Sequence, residues 1–208
     1  MARAAAVATL AFDVPTTSAE CRTRILDATL TVVADRGYAG TTLTEVAATS
    51  AISVSDVERH FGDREECFLG AYDLAVGWVE ERVRADLAGH EEGWASAVRR
   101  VVQATADLCA ADPRLSRLCG AEALFAGPRA MDRHRATVAR LAPGLHAGRS
   151  QYGRKGALPD DLERTLLSAA IVSLGRSPRP AELVPELTYF LLAPYMDTER
   201  AWRLAEGG

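Results

Sequence analysis

Along almost the whole chain, apolar residues return at intervals of three and four, and no long stretch alternates apolar and polar side chains with β-branched enrichment. That periodicity leaves an all-α architecture as the fold class. With 208 residues, 48% hydrophobic and 25% charged, the chain can bury a sizeable core, and a disordered or fibrous architecture is excluded. No apolar run reaches the roughly 18–20 residues that a membrane span needs.

Turn and cap residues divide the helical pattern. Ile25, Leu26, Leu30 and Val33 form the stripe of a helix over about 22–36, and Gly37 stands where a left-handed cap belongs. Thr42 with Glu45 makes a capping box for a short helix over about 43–49. After the turn at 50–53, Ser53 caps a third helix ending near Phe61. Longer helices are expected over about 64–88, 93–111, 113–127, 129–146 and 159–174, with a last one holding Leu183, Leu187, Phe190 and Leu191. The aperiodic stretch Gly148–Leu158 reads as a loop. Pro185 fits the last helix only if that helix starts late or kinks. Residues 1–18 read as a flexible arm rather than a cleaved export signal, since Asp13 and Pro15 follow a stretch poor in leucine.

Two short helices joined by a tight turn after a longer supporting helix have the spacing of a helix-turn-helix. Val46, Ala47, Ile52 and Val57 are the positions that would pack the two together. The third helix would then face outward with Val54, Ser55, Glu58 and Arg59.

Here the chain resembles the TetR family of bacterial transcription regulators. The resemblance runs from Arg24-Ile25-Leu26-Asp27-Ala28 through Arg36-Gly37-Tyr38 and Thr41-Thr42-Leu43-Thr44-Glu45-Val46-Ala47. It continues through Ile52-Ser53, Arg59-His60-Phe61 and Asp63-Arg64-Glu65, and covers roughly residues 19–79. Asp112-Pro113-Arg114-Leu115-Ser116-Arg117-Leu118 with Glu122 is similar to an effector-domain pattern seen in many members. The resemblance implies a helix-turn-helix DNA-binding domain over 19–66 and an effector-binding and dimerisation domain over 67–208. It implies a homodimer built on helices at about 159–175 and 183–193, whose leucine stripes would equally serve an internal core. Such a dimer reads a palindromic site in double-stranded DNA, with recognition helices about 34–36 Å apart.

Two departures matter. Ala51 stands where the family usually has glycine, and Glu58 where it typically has a tyrosine that touches phosphate. Residues 1–66 hold six arginines and ten acids, a net charge of −4, while the remainder balances. A nucleic-acid surface ordinarily has the opposite sign. Candidate DNA contacts are Thr42, Thr44, Ser53, Ser55, Glu58, Arg59, His60 and Arg64. Thr42 and the amides of the second helix's first turn suit a phosphate, and Arg59 a base or phosphate. Glu58 either accepts from a cytosine amino group or pairs with a surface arginine.

In the body, Trp78, Trp94, Leu118, Glu122, Phe125, Met131 and His134 are candidate effector contacts, with Cys109 beside them. Glu122 and His134 stand out because a titratable group on an inward face needs a partner. Aromatic residues make up 6% of the chain, so a broad aromatic cage is not evident; the expected effector is a small, largely apolar molecule. Cys21, Cys67, Cys109 and Cys119 form no Cys-x-x-Cys pair and read as reduced thiols of a cytoplasmic protein. Cys109 and Cys119 read either as small core residues or as a redox pair. No catalytic order, metal-ligand spacing or glycine-rich phosphate loop is present, so neither enzyme activity nor a cofactor or metal is expected. Two functions follow: a ligand-released repressor, or a small-molecule-binding or protein-interaction module with weakened or lost DNA binding.

Overall fold

The computed structural model describes residues 17–89, 93–152 and 158–207, so most of the arm expected at 1–18 lies outside the described residues. Those residues are helical and include no strand. Helix α1 (Ser18–Gly40) runs past the expected end near 36 and is broken at Gly37, whose φ of 72° a side-chain-bearing residue would resist and whose ψ of 167° is not that of the left-handed cap expected there. Then come α2 (Leu43–Ser50) and α3 (Val54–Phe61), capped by Thr42 and Ser53 as their sequence signals indicate. The body holds α4 (Arg64–Leu87), α5 (Trp94–Ala111), α6 (Pro113–Ser116), α7 (Pro128–Tyr152), α8 (Asp160–Arg176), α9 (Val184–Leu192) and α10 (Thr198–Glu206).

The hydrophobic stripes of α1, α2 and α3 fall where the periodicity puts them. Ile25, Leu30, Val33, Val46 and Val57 are essentially inaccessible, and Ala47 and Ile52 are buried beside them. Each fully buried aliphatic side chain of this size contributes on the order of 1.5–3 kcal/mol. The same core continues past residue 66 through Cys67, Phe68 and Tyr72 of α4 to Leu115, Leu118, Ala123 and Ala130. The helix-turn-helix therefore rests on the first part of α4 and on the segment after α6. A second core joins α5, α7, α8 and α9 around Val102, Leu145, Leu174 and Leu187.

Several elements differ from the sequence expectation. The helix expected over 113–127 is α6 followed by a π turn at Arg117–Ala121 and a 3₁₀ turn at Glu122–Leu124. The backbone passes close to α8 in the π turn: a methyl added to Gly120 would lie 2.4 Å from Gly175 Cα. The stretch 148–158 is not wholly loop, because α7 runs on to Tyr152. Gly148 serves packing there, since a Cβ would sit 2.3 Å from the Trp94 ring. Helix α9 starts late, at Val184 after a 3₁₀ turn (Pro180–Leu183), which places Pro185 harmlessly in its first turn. Helix α10 has no counterpart in the sequence reading, because the positions it buries are the alanines Ala201 and Ala205. No helix among the described residues is long and apolar enough to cross a membrane.

Candidate functional site

The turn between α2 and α3 is built by hydrogen bonds. Ile52 N–H donates to Ala47 O (3.1 Å) and Ala51 N–H to Ala48 O (3.4 Å), the paired bonds of a Schellman ending. Ala51 occupies the left-handed position with φ 53° and ψ 38°. This ending satisfies the last carbonyls of α2 and points the chain directly into the Ser53 cap of α3. Thr42, Thr44, Ser53, Ser55, Glu58 and Arg59 are all exposed, and His60 and Arg64 are half-buried.

The charges of this surface are largely committed within the chain. Arg59 pairs with Asp56, whose carboxyl is held below the usual carboxylate range by the Ser53 hydroxyl and then by Arg59 itself. Arg64 donates to Thr41 O at 3.3 Å and lies over the Tyr38 ring. Arg22 covers the Phe61 ring and donates to His60 O, Arg24 donates to Ser50 O, and Arg36 pairs with Glu45. Thus Arg22, Arg24, Arg36, Arg59 and Arg64 each have an intramolecular partner before any ligand arrives. Glu58 projects from α3 as an exposed carboxylate.

Deeper in the body lies a cavity of about 530 Å³, bounded by α4, α5, α7, α8 and the segment 115–120. Its wall is mainly aliphatic, with Val76, Val79, Val83, Val101, Leu141, Leu167 and Ile171. Polar groups are few: Tyr72, Thr105, Ser116 and Thr137, together with Glu80, Arg84 and Arg140. Arg140 bridges to Glu80 at 3.0 Å, and the Tyr72 hydroxyl donates to Thr137 at 3.4 Å. Burial pushes Tyr72 up to about 12, so it meets an occupant as a neutral phenol. Cys109 and Cys119 also line the wall. Burial raises both thiols, Cys119 to about 12, so neither is a thiolate nucleophile at neutral pH.

Of the effector contacts expected from sequence, only Cys109 is on this wall. Trp78 is exposed on α4, and Phe125 is 73% exposed. Trp94 donates its indole N–H to Gly144 O at 2.7 Å and packs edge-on against Tyr195. Leu118 is fully buried in the core beneath the helix-turn-helix, and Met131 is half-buried on α7. His134 is buried between α7 and α8 with Nε2 2.8 Å from the Ser168 hydroxyl, and its Nδ1 has no hydrogen-bond partner among the described residues. Burial, and then the charge of Arg135, pull the His134 pKa below its usual value. Glu122 accepts from Tyr38 N–H across the chain at 2.8 Å. The residues that sequence reasoning missed include Glu80, Arg84 and Arg140. Their only signal is the helical spacing of 80/84 and 137/140, which ordinary surface pairs share. His146, Asp160 and Glu163 bring three possible metal ligands together, but the Glu163 carboxylate already accepts from the Tyr195 hydroxyl and lies 3.5 Å from His146.

Residues 25–71 match the family model described as bacterial regulatory proteins, tetR family. No curated protein matches the chain. Among solved structures, the fatty acid degradation regulator FadR from Bacillus halodurans is similar at a TM-score of 0.69 and 16% identity, covering 82% of this chain and 94% of that one. FadR from Bacillus subtilis, in complex with stearoyl-CoA, is similar at a TM-score of 0.68 and 16% identity, over 83% of this chain and 98% of that one. A TetR family transcription regulator from Marinobacter aquaeolei gives a TM-score of 0.61 and 18% identity, over 90% and 93%. At these identities the likeness is one of fold.

Proposed function

We propose that this chain, whose residues 25–71 match the model of the tetR family of bacterial regulatory proteins, is a cytoplasmic, homodimeric repressor released from a palindromic operator by an apolar effector. The observation that carries this reading is the cavity of about 530 Å³, within the size range of small-molecule sites. Its wall at Leu115–Gly120 belongs to the same segment that supports the helix-turn-helix. An aliphatic wall with two arginines, Arg84 and Arg140, suits a long apolar chain ending in an anionic head. The stearoyl-CoA complex of the Bacillus subtilis regulator makes long-chain acyl compounds the first class to test.

In the proposed dimer, the exposed Leu162 of α8 and Phe190 of α9 supply apolar surface for a second copy. Arg59, Ser53, Ser55 and Glu58 meet base edges or phosphates, with Thr42, Thr44, His60 and Arg64 on the backbone. Effector binding changes how the two recognition helices are presented; a tenfold loss of operator affinity needs about 1.4 kcal/mol of differential binding between the two states.

The committed arginines and the exposed Glu58 favour a second reading, a ligand-binding or interaction module whose DNA binding is weakened. Titrating the purified protein with duplex from upstream of its own gene, at several salt concentrations and with or without stearoyl-CoA, separates the two. Specific binding that stearoyl-CoA reverses supports the repressor. Binding that stearoyl-CoA leaves unchanged removes the acyl class, and absence of specific binding at low salt removes the repressor.

A further inference from the structure

Between the cavity and the helix-turn-helix stands one short segment, residues 112–122, with a different task on each face. Toward the cavity it presents Leu115, Ser116, Cys119 and Gly120. Toward α1 it presents two polar ties. Arg114 donates to Asp27 at 3.1 Å and to Thr31 at 2.9 Å, and it is itself fixed by Asp112 at 2.7 Å. Glu122 accepts the Tyr38 N–H at 2.8 Å, and both its carboxylate oxygens lie 3.3 Å from where a Cβ of Gly37 would be.

The second tie falls on a sensitive place. Gly37 breaks α1, and the bonds that re-form the chain follow at once: Thr41 Oγ1 donates to Gly37 O at 2.8 Å and Thr41 N–H to Tyr38 O at 3.2 Å. Thr42, the next residue, caps α2. The Glu122 carboxylate therefore holds the one break between the supporting helix and the helix-turn-helix.

We infer that Glu122 is a positioning residue through which an occupant of the cavity acts on the helix-turn-helix; this rests on the reading of the cavity as the effector site. The backbone between cavity and carboxylate is the π turn Arg117–Ala121, a geometry that stores one residue more than an α-helical turn and is frequent at functional sites. An occupant pressing on Cys119 and Gly120 meets little give toward α8, because a methyl at Gly120 would already lie 2.4 Å from Gly175 Cα. The displacement is passed along the turn to the next residue, Glu122, and draws its carboxylate off the Tyr38 amide. Freed of that anchor, the Gly37 break is loosened and α2 loses its fixed starting point. Gly37 suits the site twice: its φ of 72° admits the break, and the missing Cβ leaves the carboxylate room.

Residue-resolved amide hydrogen exchange on the full-length protein tests this without DNA or effector. E122A is expected to raise exchange at the Tyr38 amide on the order of tenfold, the loss of a bond to a charged acceptor. E122Q, which keeps an acceptor oxygen, is expected to retain most of the protection. T105F and V83F fill the cavity from α5 and α4, away from the carboxylate. Either is expected to raise Tyr38 exchange in the wild-type background and to add nothing in E122A, with amides of α10 unchanged as the check on folding. Unchanged Tyr38 exchange in E122A removes the anchor, and full protection in a folded filler variant removes the coupling. Failure of the effector reading itself shows in the DNA and stearoyl-CoA titration and leaves the E122A result standing.

Discussion

Ala51 is the described non-glycine residue with positive φ, and replacing it with glycine should stabilise the protein. At φ 53° and ψ 38° its Cβ crowds the following carbonyl, a conformation that costs an L-residue roughly 1–2 kcal/mol. Glycine removes that strain, while its extra freedom in the unfolded chain takes back about 0.4–1 kcal/mol. The side chain at 51 is exposed, so no packing is lost, and the Schellman bonds from Ala51 and Ile52 N–H are backbone bonds that glycine keeps. The net gain for A51G is about 0.5–1 kcal/mol, a rise in Tm of about 1–4 °C for a chain of this size. Scanning calorimetry, with urea midpoints alongside, measures it. The exposed Ala48, three residues earlier in regular α2, is the internal control: A48G should lose about 1 kcal/mol. Opposite signs at the two alanines support the assigned turn; a neutral or destabilising A51G refutes it.

Three further outcomes follow from the same geometry. Because burial holds the folded-state pKa of His134 below that of the unfolded chain, its neutral form contributes stability that is fully present above about pH 6.5 and is lost as pH falls through the folded value. Urea midpoints from pH 7.5 to 5 should therefore decline less steeply in H134Q than in wild type, and equal slopes would contradict the assignment. Removing the exposed α3 carboxylate in E58Q should strengthen binding to non-operator duplex at low salt by several-fold, read by fluorescence anisotropy; unchanged affinity places Glu58 away from the DNA. The double variant L162D/F190D puts charges on the exposed apolar positions of α8 and α9 and should shift the sedimentation profile from dimer to monomer. A dimer that survives both charges uses another face.

What could be read in the sequence was whatever a local pattern encodes. The Thr42–Glu45 box and the Ser53 cap each use residues within a few positions of one another and stand where the pattern puts them, whereas Gly37 interrupts α1 with ψ 167° instead of closing it as a left-handed cap. The strained Ala51 followed from setting one residue against the family resemblance. Tertiary contacts were not legible. Gly148 looks like a breaker in sequence but makes room for the Trp94 ring 54 positions earlier in the chain. The π turn at Arg117–Ala121 holds the close crossing of Gly120 with Gly175, a contact 55 positions away that no nearby residue announces. Candidate effector contacts were chosen by chemical type, yet which helix faces enclose a void depends on how α4, α5, α7 and α8 cross. That is why aliphatic Val79 and Val83 line the cavity while aromatic Trp78 and Phe125 lie exposed. The charge deficit of residues 1–66 was visible, but the engagement of their arginines by Asp56, Glu45, carbonyls and rings was not.

Whether α3 reads DNA as one half of a two-fold pair is decided by selecting duplexes from a random-sequence pool with the full-length protein and footprinting the winners. Two inverted half-sites should emerge, their centres about one helical turn (roughly 34–36 Å) or a multiple apart, with enrichment lost in R59A. A pool that shows no enrichment at low salt, or that yields single half-sites indifferent to Arg59, contradicts the account.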